Sequence, residues 1–112
     1  MAQAEKISGP ASLLAPKQSW LSDNPEFVIL GEDDVLTTAA RMMHKITRAM
    51  RARQGELGVS TIDLAADARV RRQTVSAVLM GKSWPDSVSL TRICVALDLD
   101  LIAQLPEMYK SR

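Results

Sequence analysis

Apolar residues recur at steps of three and four along most of residues 35–105, and polar residues occupy the positions between them. This spacing is typical of α-helices that each bury one face. Glycines, prolines and turn-forming residues interrupt the pattern, so it predicts several short helices after one longer helix. The expected fold is therefore all-α, with five helices.

The first predicted helix begins near Val35 and ends near Gln54, because Gly55 and Gly58 follow it. Acidic residues at 32–34 precede it and favour the positive N-terminal end of the helix dipole. Its inward stripe is Val35, Leu36, Ala39, Ala40, Met43, Ile46, Thr47 and Met50. Its outer face is basic and carries Arg41, Lys45, Arg48 and Arg51. The helix is long enough to pack against the N-terminal segment or a partner helix as well.

Residues 60–81 predict two short helices that meet at a tight bend. Ser60 is the expected N-cap of the first, because its hydroxyl can accept a hydrogen bond from a free amide two or three residues later. The bend is centred on Arg69, Val70 and Arg71. The inward faces of the two halves are Ile62, Leu64, Ala65 and Ala68, then Val70, Val75, Val78 and Leu79.

The second of these helices, at residues 71–80, presents a distinctive outer face. That face carries Arg72, Gln73, Ser76 and Ala77. Arginine and glutamine can pair bidentately with base edges in the DNA major groove, and small residues permit close approach. An ordinary helical hairpin with a solvated polar face is the alternative interpretation of the same pattern.

The N-terminal part of the chain shows no sustained periodicity. Residues 1–24 are rich in Ala, Ser, Pro and Gln and predict a mostly irregular arm. The apolar run Phe27–Leu30, between Pro25 and Gly31, predicts a short strand or a buried segment. This segment either covers its own domain, pairs with its counterpart in a second subunit, or binds another protein.

Beyond Gly81 the pattern predicts a loop and two further helices. In the loop, Trp84 is expected to cap the core, with contact to a nucleic-acid backbone as the alternative. Asp86 or Ser87 is the expected N-cap of the fourth helix. The inward stripe of that helix is Val88, Leu90, Ile93, Cys94 and Leu97. A short fifth helix begins at residues 98–100 and ends at Pro106.

One run of residues resembles a known family. It reads L-A-A-D-A-R-V-R-R-Q-T-V-S-A-V-L-M-G, followed by K-S-W-P and then by L-T-R-I-C-V-A-L. It is similar to the Xre/phage-repressor (Cro/C1-type) helix-turn-helix family over residues 34–105. That family has an L-A pair, a G-V-S turn, a T-I/V-S recognition-helix core, a glycine, a nearby proline and a closing A-L helix. The matching positions are Leu64, Ala65, Val70, Thr74, Val75, Ser76, Gly81, Pro85, Ala96 and Leu97.

The resemblance implies a five-helix, lambda repressor-like domain with an N-terminal extension. The expected division is an arm at residues 1–31, a DNA-binding domain at residues 32–106 and a tail at residues 107–112. The resemblance implies base contacts from Arg72, Gln73, Ser76 and Ala77. It implies phosphate contacts from Thr61, Arg71, Thr74 and Lys82.

The turn departs from the family's pattern, because Arg69 replaces the usual glycine and Arg71 the usual serine. A left-handed residue at position 69 costs on the order of 1 kcal/mol when it is not glycine. The missing serine cap at position 71 costs ~1 kcal/mol. Both exchanges place an arginine where phosphate oxygens would lie.

Charge is unevenly distributed along the chain. The net charge is only +1, but residues 41–82 contain nine basic residues and three acidic ones, a balance of +6. A basic face on a nearly neutral molecule is compatible with nucleic-acid binding, although a solvated face is the usual role of any single arginine. The chain has no run of 18 apolar residues and no signal-peptide pattern, so we expect no membrane contact and a cytoplasmic location.

Cys94 and His44 are the single cysteine and the single histidine. One cysteine cannot form an internal disulfide, and we expect a buried structural thiol. His44 has no second histidine or cysteine at ligand spacing and is expected on a helix surface. We expect no metal and no cofactor. An enzyme is the least expected class, because the chain shows no catalytic pairing or phosphate-binding loop.

These patterns lead to the hypothesis of a dimeric, sequence-specific transcriptional repressor that binds double-stranded DNA. A first alternative is an antitoxin that also represses its own operon and contacts its toxin through Phe27–Leu30. A second alternative is a protein-interaction adaptor that uses the same fold without DNA.

Overall fold

A computed structural model describes residues 8–29 and 35–104. It contains four α-helices: α1 (Val35–Leu57), α2 (Thr61–Ala68), α3 (Arg72–Leu79) and α4 (Ser87–Ala96). Two short 3-10 helices lie at Pro10–Leu13 and Ile102–Gln104. Within the described residues the only β-type pairing is the isolated bridge between Leu14 and Phe27. The predicted all-α class is confirmed.

The predicted fifth α-helix is not confirmed, since the described residues after α4 form only a 3-10 helix at Ile102–Gln104. The Asp100 side chain accepts a hydrogen bond from the Ile102 amide at 3.0 Å and so caps this turn locally. So short a segment gains too few hydrogen bonds to offset the cost of starting an α-helix. Leu105 and the predicted stop at Pro106 lie outside the described residues.

All four α-helices end in the same way. A residue of positive φ follows each helix, and the backbone N–H of the next residue donates to the carbonyl five positions earlier. The residues of positive φ are Gly58, Arg69, Gly81 and Asp98. The hydrogen bonds run from residue 59 to 54, 70 to 65, 82 to 77 and 99 to 94. Helix α1 therefore continues through Gly55, three residues beyond the predicted end at Gln54, and stops at Leu57.

The hydrophobic core takes side chains from every α-helix and from the N-terminal arm. Helix α2 packs against both α3 and α4, and α1 packs against α3 and the first 3-10 helix. The core consists of Trp20, Met43, Ile46, Met50, Leu64, Ala65, Ala68, Val75, Val78, Leu79, Ile93, Cys94 and Leu97. Three residues predicted to face inward are exposed instead: Val35, Ile62 and Val88. Each lies in the first turn of its helix, beyond the edge of the core.

The described part of the arm, residues 8–29, is irregular but packed. Leu13 and Trp20 are buried, and the backbone of Val28 donates to the Leu13 carbonyl at 2.8 Å. Phe27 is half-buried beside Trp20, with ring centroids 6.2 Å apart. Of the alternatives for Phe27–Leu30, Phe27 therefore covers its own chain. Ile29 is exposed, and Leu30 lies outside the described residues.

His44 is buried, so the prediction of a surface histidine is wrong. Only 6% of its surface is exposed, because Trp20 and Phe27 pack edge-on against its ring at centroid distances of 5.1 and 6.2 Å. Its Nε2 donates a hydrogen bond to the Ser22 carbonyl at 2.8 Å. The arm thus buries a face of α1 that periodicity alone assigns to solvent.

Candidate nucleic-acid interface

The start of α2 places Thr61 beside the end of α1. The Ser60 hydroxyl accepts a hydrogen bond from the Asp63 amide at 3.1 Å, which confirms the predicted N-cap. Thr61 is half-buried, and its hydroxyl accepts a hydrogen bond from the Gln54 amide group at 3.4 Å. The threonine is thus held at the first turn of α2.

The turn between α2 and α3 contains a left-handed residue. Arg69 has φ 57° and ψ 43°, a conformation that costs a non-glycine residue on the order of 1 kcal/mol. Besides the backbone hydrogen bonds that end α2, further contacts hold it in place: Val70 packs against the core, and the Arg92 guanidinium donates to the Arg69 carbonyl at 3.4 Å. The strain is therefore retained beside an exposed arginine side chain.

The N-terminus of α3 has no side-chain cap. Arg71 occupies the N-cap position with φ −59° and ψ 141°, and its side chain makes no capping hydrogen bond. The caps of α2 and α4 are different, since Ser60 and Asp86 each accept from a first-turn amide. The first turn of α3 therefore combines free backbone N–H groups with the exposed side chains of Arg71 and Arg72, and all of these favour a negatively charged partner.

Most of the sequence-predicted site residues line one open depression of about 470 Å³. It contains all four candidate base-contacting residues and two of the candidate phosphate contacts. Its lining is Thr61, Arg72, Gln73, Ser76, Ala77 and Lys82. Arg72, Gln73, Ser76 and Lys82 are exposed, and Ala77 is half-buried. The surface thus offers cationic, amide and hydroxyl groups around a small residue.

The other two candidates lie at the edges of this depression. Thr74 lines an adjacent depression of about 370 Å³ that shares Gln73 and Ala77 with the first. Arg71 is exposed at the N-cap of α3, outside the lining of either depression. Trp84 borders the second depression and is half-buried against the core, so it serves the capping role expected of it.

The C-terminus of α3 is anchored by groups that sequence reasoning did not assign to the site. The Leu79 carbonyl accepts hydrogen bonds from Trp20 Nε1 at 3.1 Å and from Arg51 Nη1 at 2.8 Å. The Gly81 carbonyl accepts one from the Ala11 amide at 2.7 Å. Arg51 was expected on the outer face of the first helix, but it reaches inward because a helix C-terminus attracts a cation. Burial, and to a lesser degree Arg48, lowers the pKa of Arg51.

Gly81 meets two requirements at the end of α3. Its φ is +71°, and a Cβ placed on it would lie 2.5–2.8 Å from the Trp20 indole ring. Gly9 is similarly enclosed by the backbone of Lys82 and Ser83. The arm therefore lies directly against the residues that position Lys82. One residue in the sequence pointed to this packing of the arm. Thr47 places a hydroxyl on the apolar stripe of α1, and this hydroxyl accepts a hydrogen bond from Trp20 Nε1 at 3.2 Å.

Cys94 is buried, as expected, and burial raises the pKa of its thiol. Among residues 8–29 and 35–104, no group of three or more His, Cys, Asp or Glu side chains is arranged to hold a metal ion. No helix in the same ranges is long and apolar enough to cross a membrane. No protein-family model, curated protein or solved structure matches the chain.

Proposed function

We propose that the protein is a dimeric transcriptional repressor that binds a specific sequence of double-stranded DNA, with α3 in the major groove. The observation that carries the proposal is that Thr61, Arg72, Gln73, Ser76, Ala77 and Lys82 line one open surface. Arginine and glutamine discriminate base pairs by paired hydrogen bonds at the groove edge. The small side chains of Ser76 and Ala77 leave room for a base to approach.

The division of labour within the surface follows from its chemistry. Arg72, Gln73, Ser76 and Ala77 face base edges and supply sequence discrimination. Arg71, Lys82, Thr61 and Thr74 border them and contact phosphates, which supplies affinity that falls as salt concentration rises. One helix reads only a few base pairs, so two copies, spaced about 34 Å apart on a two-fold site, multiply the specificity.

The anchoring at Leu79 and Gly81 supports the same proposal. A reading helix must hold its side chains in one position to distinguish base pairs. Here the contacts of Trp20, Arg51 and Ala11 fix the far end of α3. The near end keeps its amides and arginines available to the negatively charged backbone of DNA.

Selection of bound sequences from random duplex DNA tests the proposal directly, and a palindromic site is the expected product. For that site, Arg72→Ala should reduce the binding free energy by about 1–3 kcal/mol and relax selectivity at one base pair. Lys82→Ala should weaken all sequences alike and reduce the salt slope by about one. Lys17→Ala is the matched control, because Lys17 is an exposed cation outside the depression. The proposal fails if no sequence is enriched, or if Arg72→Ala leaves affinity and selectivity at the control's level.

A further inference from the structure

A second surface, formed by the arm and the outer face of α1, has a different composition. It is an open cleft of about 550 Å³ between residues 23–27 and α1. Its lining includes Asp23, Phe27, Arg41, His44, Lys45 and Arg48. The α1 residues extend from 41 to 52, so the cleft follows the helix for about 16 Å. It shares no lining residue with the depression on α3.

Three cations and one carboxylate border this cleft. Arg48 forms an ion pair with Asp23 at 3.1 Å. Arg41 and Lys45 are exposed on neighbouring turns of α1, and neither forms an ion pair with any residue in the described part of the chain. Within residues 8–29 and 35–104, two cations one turn apart beside the cleft therefore have no acidic partner.

The floor of the cleft is apolar and preformed. Pro25 and His44 are buried, and Phe27 and Ala49 are half-buried. The edge-on contacts of Trp20 with Phe27 and His44 hold these rings in place. An apolar floor beside a row of cations suits a ligand that carries apolar and acidic groups along its length.

We propose that this cleft is a docking site for an acidic segment of a partner protein, which inserts an apolar side chain against Phe27 and His44. Charge complementarity favours this occupant, because Arg41 and Lys45, which lack an acidic partner among the described residues, can pair with anionic groups about one helical turn apart. Duplex DNA fits less well, since its phosphates and sugars would leave the apolar floor beside Phe27 unfilled. A small anion fits less well too, because the cleft is open and cannot enclose it.

Selection from a random peptide library, panned without DNA on the full chain, tests the proposal. The expected product is a set of peptides that combine Asp or Glu with a large apolar residue. The affinity of these peptides is measured by fluorescence anisotropy. It should be roughly tenfold or more weaker for the Arg41→Glu/Lys45→Glu variant than for the wild type. The matched control is Lys17→Glu/Lys82→Glu, which changes the net charge equally away from the cleft and should leave the affinity unchanged.

Two further measurements separate the occupants. The Trp84→Phe variant leaves Trp20 as the only tryptophan, and its emission should shift when a selected peptide binds, because Trp20 packs on the floor of the cleft. If a DNA site is selected, the affinity for that DNA should fall more with Lys17→Glu/Lys82→Glu than with Arg41→Glu/Lys45→Glu. The proposal is overturned if the selected peptides are not acidic, or if both double variants weaken peptide binding equally. It is also overturned if Arg41→Glu/Lys45→Glu changes the binding of DNA or inorganic phosphate but not the binding of the peptides.

Discussion

The two ends of α3 are held in different ways. At its C-terminus, Leu79 and Gly81 accept hydrogen bonds from the arm and from α1, and Gly81 packs on the Trp20 ring. At its N-terminus, Arg71 provides no cap and Arg69 holds a strained left-handed conformation. The position of the helix is thus set at one end by buried contacts. The other end gives up local stability and keeps exposed positive charge.

The largest effect is expected at Trp20, which anchors the C-terminal end. Trp20→Ala should lower the free energy of unfolding by about 3–5 kcal/mol, because it removes a buried ring and leaves a cavity. Urea denaturation followed by circular dichroism measures this loss. Leu21→Ala is the control, since the neighbouring Leu21 is exposed and should change stability by about 0.5 kcal/mol or less. A loss below about 1 kcal/mol at Trp20 would show that the arm does not hold α3.

A smaller loss is expected from Gly81→Ala. The added methyl group meets the Trp20 ring in a backbone conformation that disfavours it, so stability should fall by roughly 2–4 kcal/mol. Gly55→Ala is the paired control, because Gly55 lies inside α1 with nothing within 4 Å of a new Cβ. It should raise stability by about 0.5–1 kcal/mol. The melting temperature should therefore fall for Gly81→Ala and rise for Gly55→Ala. If both melting temperatures shift in the same direction, the contact between Gly81 and Trp20 is refuted.

Relief of strain in the turn before α3 should raise the stability of the protein. Arg69→Gly should raise the free energy of unfolding by about 1 kcal/mol, because glycine adopts the left-handed conformation without strain. Arg69→Ala removes the same charge but keeps the strain, so it should show no such gain. Asp98→Gly, at the equivalent end of α4, should gain less, since aspartate tolerates this conformation better. Equal gains for Arg69→Gly and Arg69→Ala in chemical denaturation would assign the effect to charge instead.

The smallest expected effect is a pH dependence of the capped helix, α4. Hydrogen bonds from the Ser89 amide and hydroxyl hold the pKa of Asp86 below its ordinary value. A lowered folded-state pKa contributes stability above the unfolded-state pKa, and this contribution is lost as pH falls through the folded-state value. Melting temperatures recorded across this acidic window should fall more for the wild type than for Asp86→Asn. Parallel curves for the two proteins would contradict the assignment.

Local chemistry made much of the helical hairpin predictable. Ser60 caps α2, as the capping pattern predicts. Arg69 is left-handed, the conformation whose cost was considered at this position. Asp86, one of two candidates, caps α4 through the Ser89 amide. These features depend on hydrogen bonds between residues at most five positions apart, so the sequence order alone specifies them. Arg72, Gln73, Ser76 and Ala77, which line the α3 depression, were predictable for the same reason, because they share one face of a regular helix. Thr61 and Lys82, from α2 and the loop after α3, were expected there only from the family resemblance.

The packing of the arm was not predictable in the same way. Trp20, Phe27 and Leu13 follow no helical or strand period, so nothing local specifies what they cover. The surface assignment of His44 was wrong for this reason, and so was the outward assignment of Arg51. Both residues meet partners more than 20 positions away along the chain. Thr47 was the single local indication, because a hydroxyl in an apolar stripe requires a donor or acceptor.

The bond between Trp20 and Leu79 spans 59 positions along the chain, and this separation has a consequence during synthesis. The arm leaves the ribosome before its docking surface exists, because the end of α3 must follow it. At about 5–20 residues per second, Trp20 waits roughly 3–12 s for Leu79 to be added. During that interval the indole N–H lacks one of its two native acceptors, and Gly81, which packs on the ring, has not yet been added. The arm therefore completes its native contacts only once α3 has been synthesised.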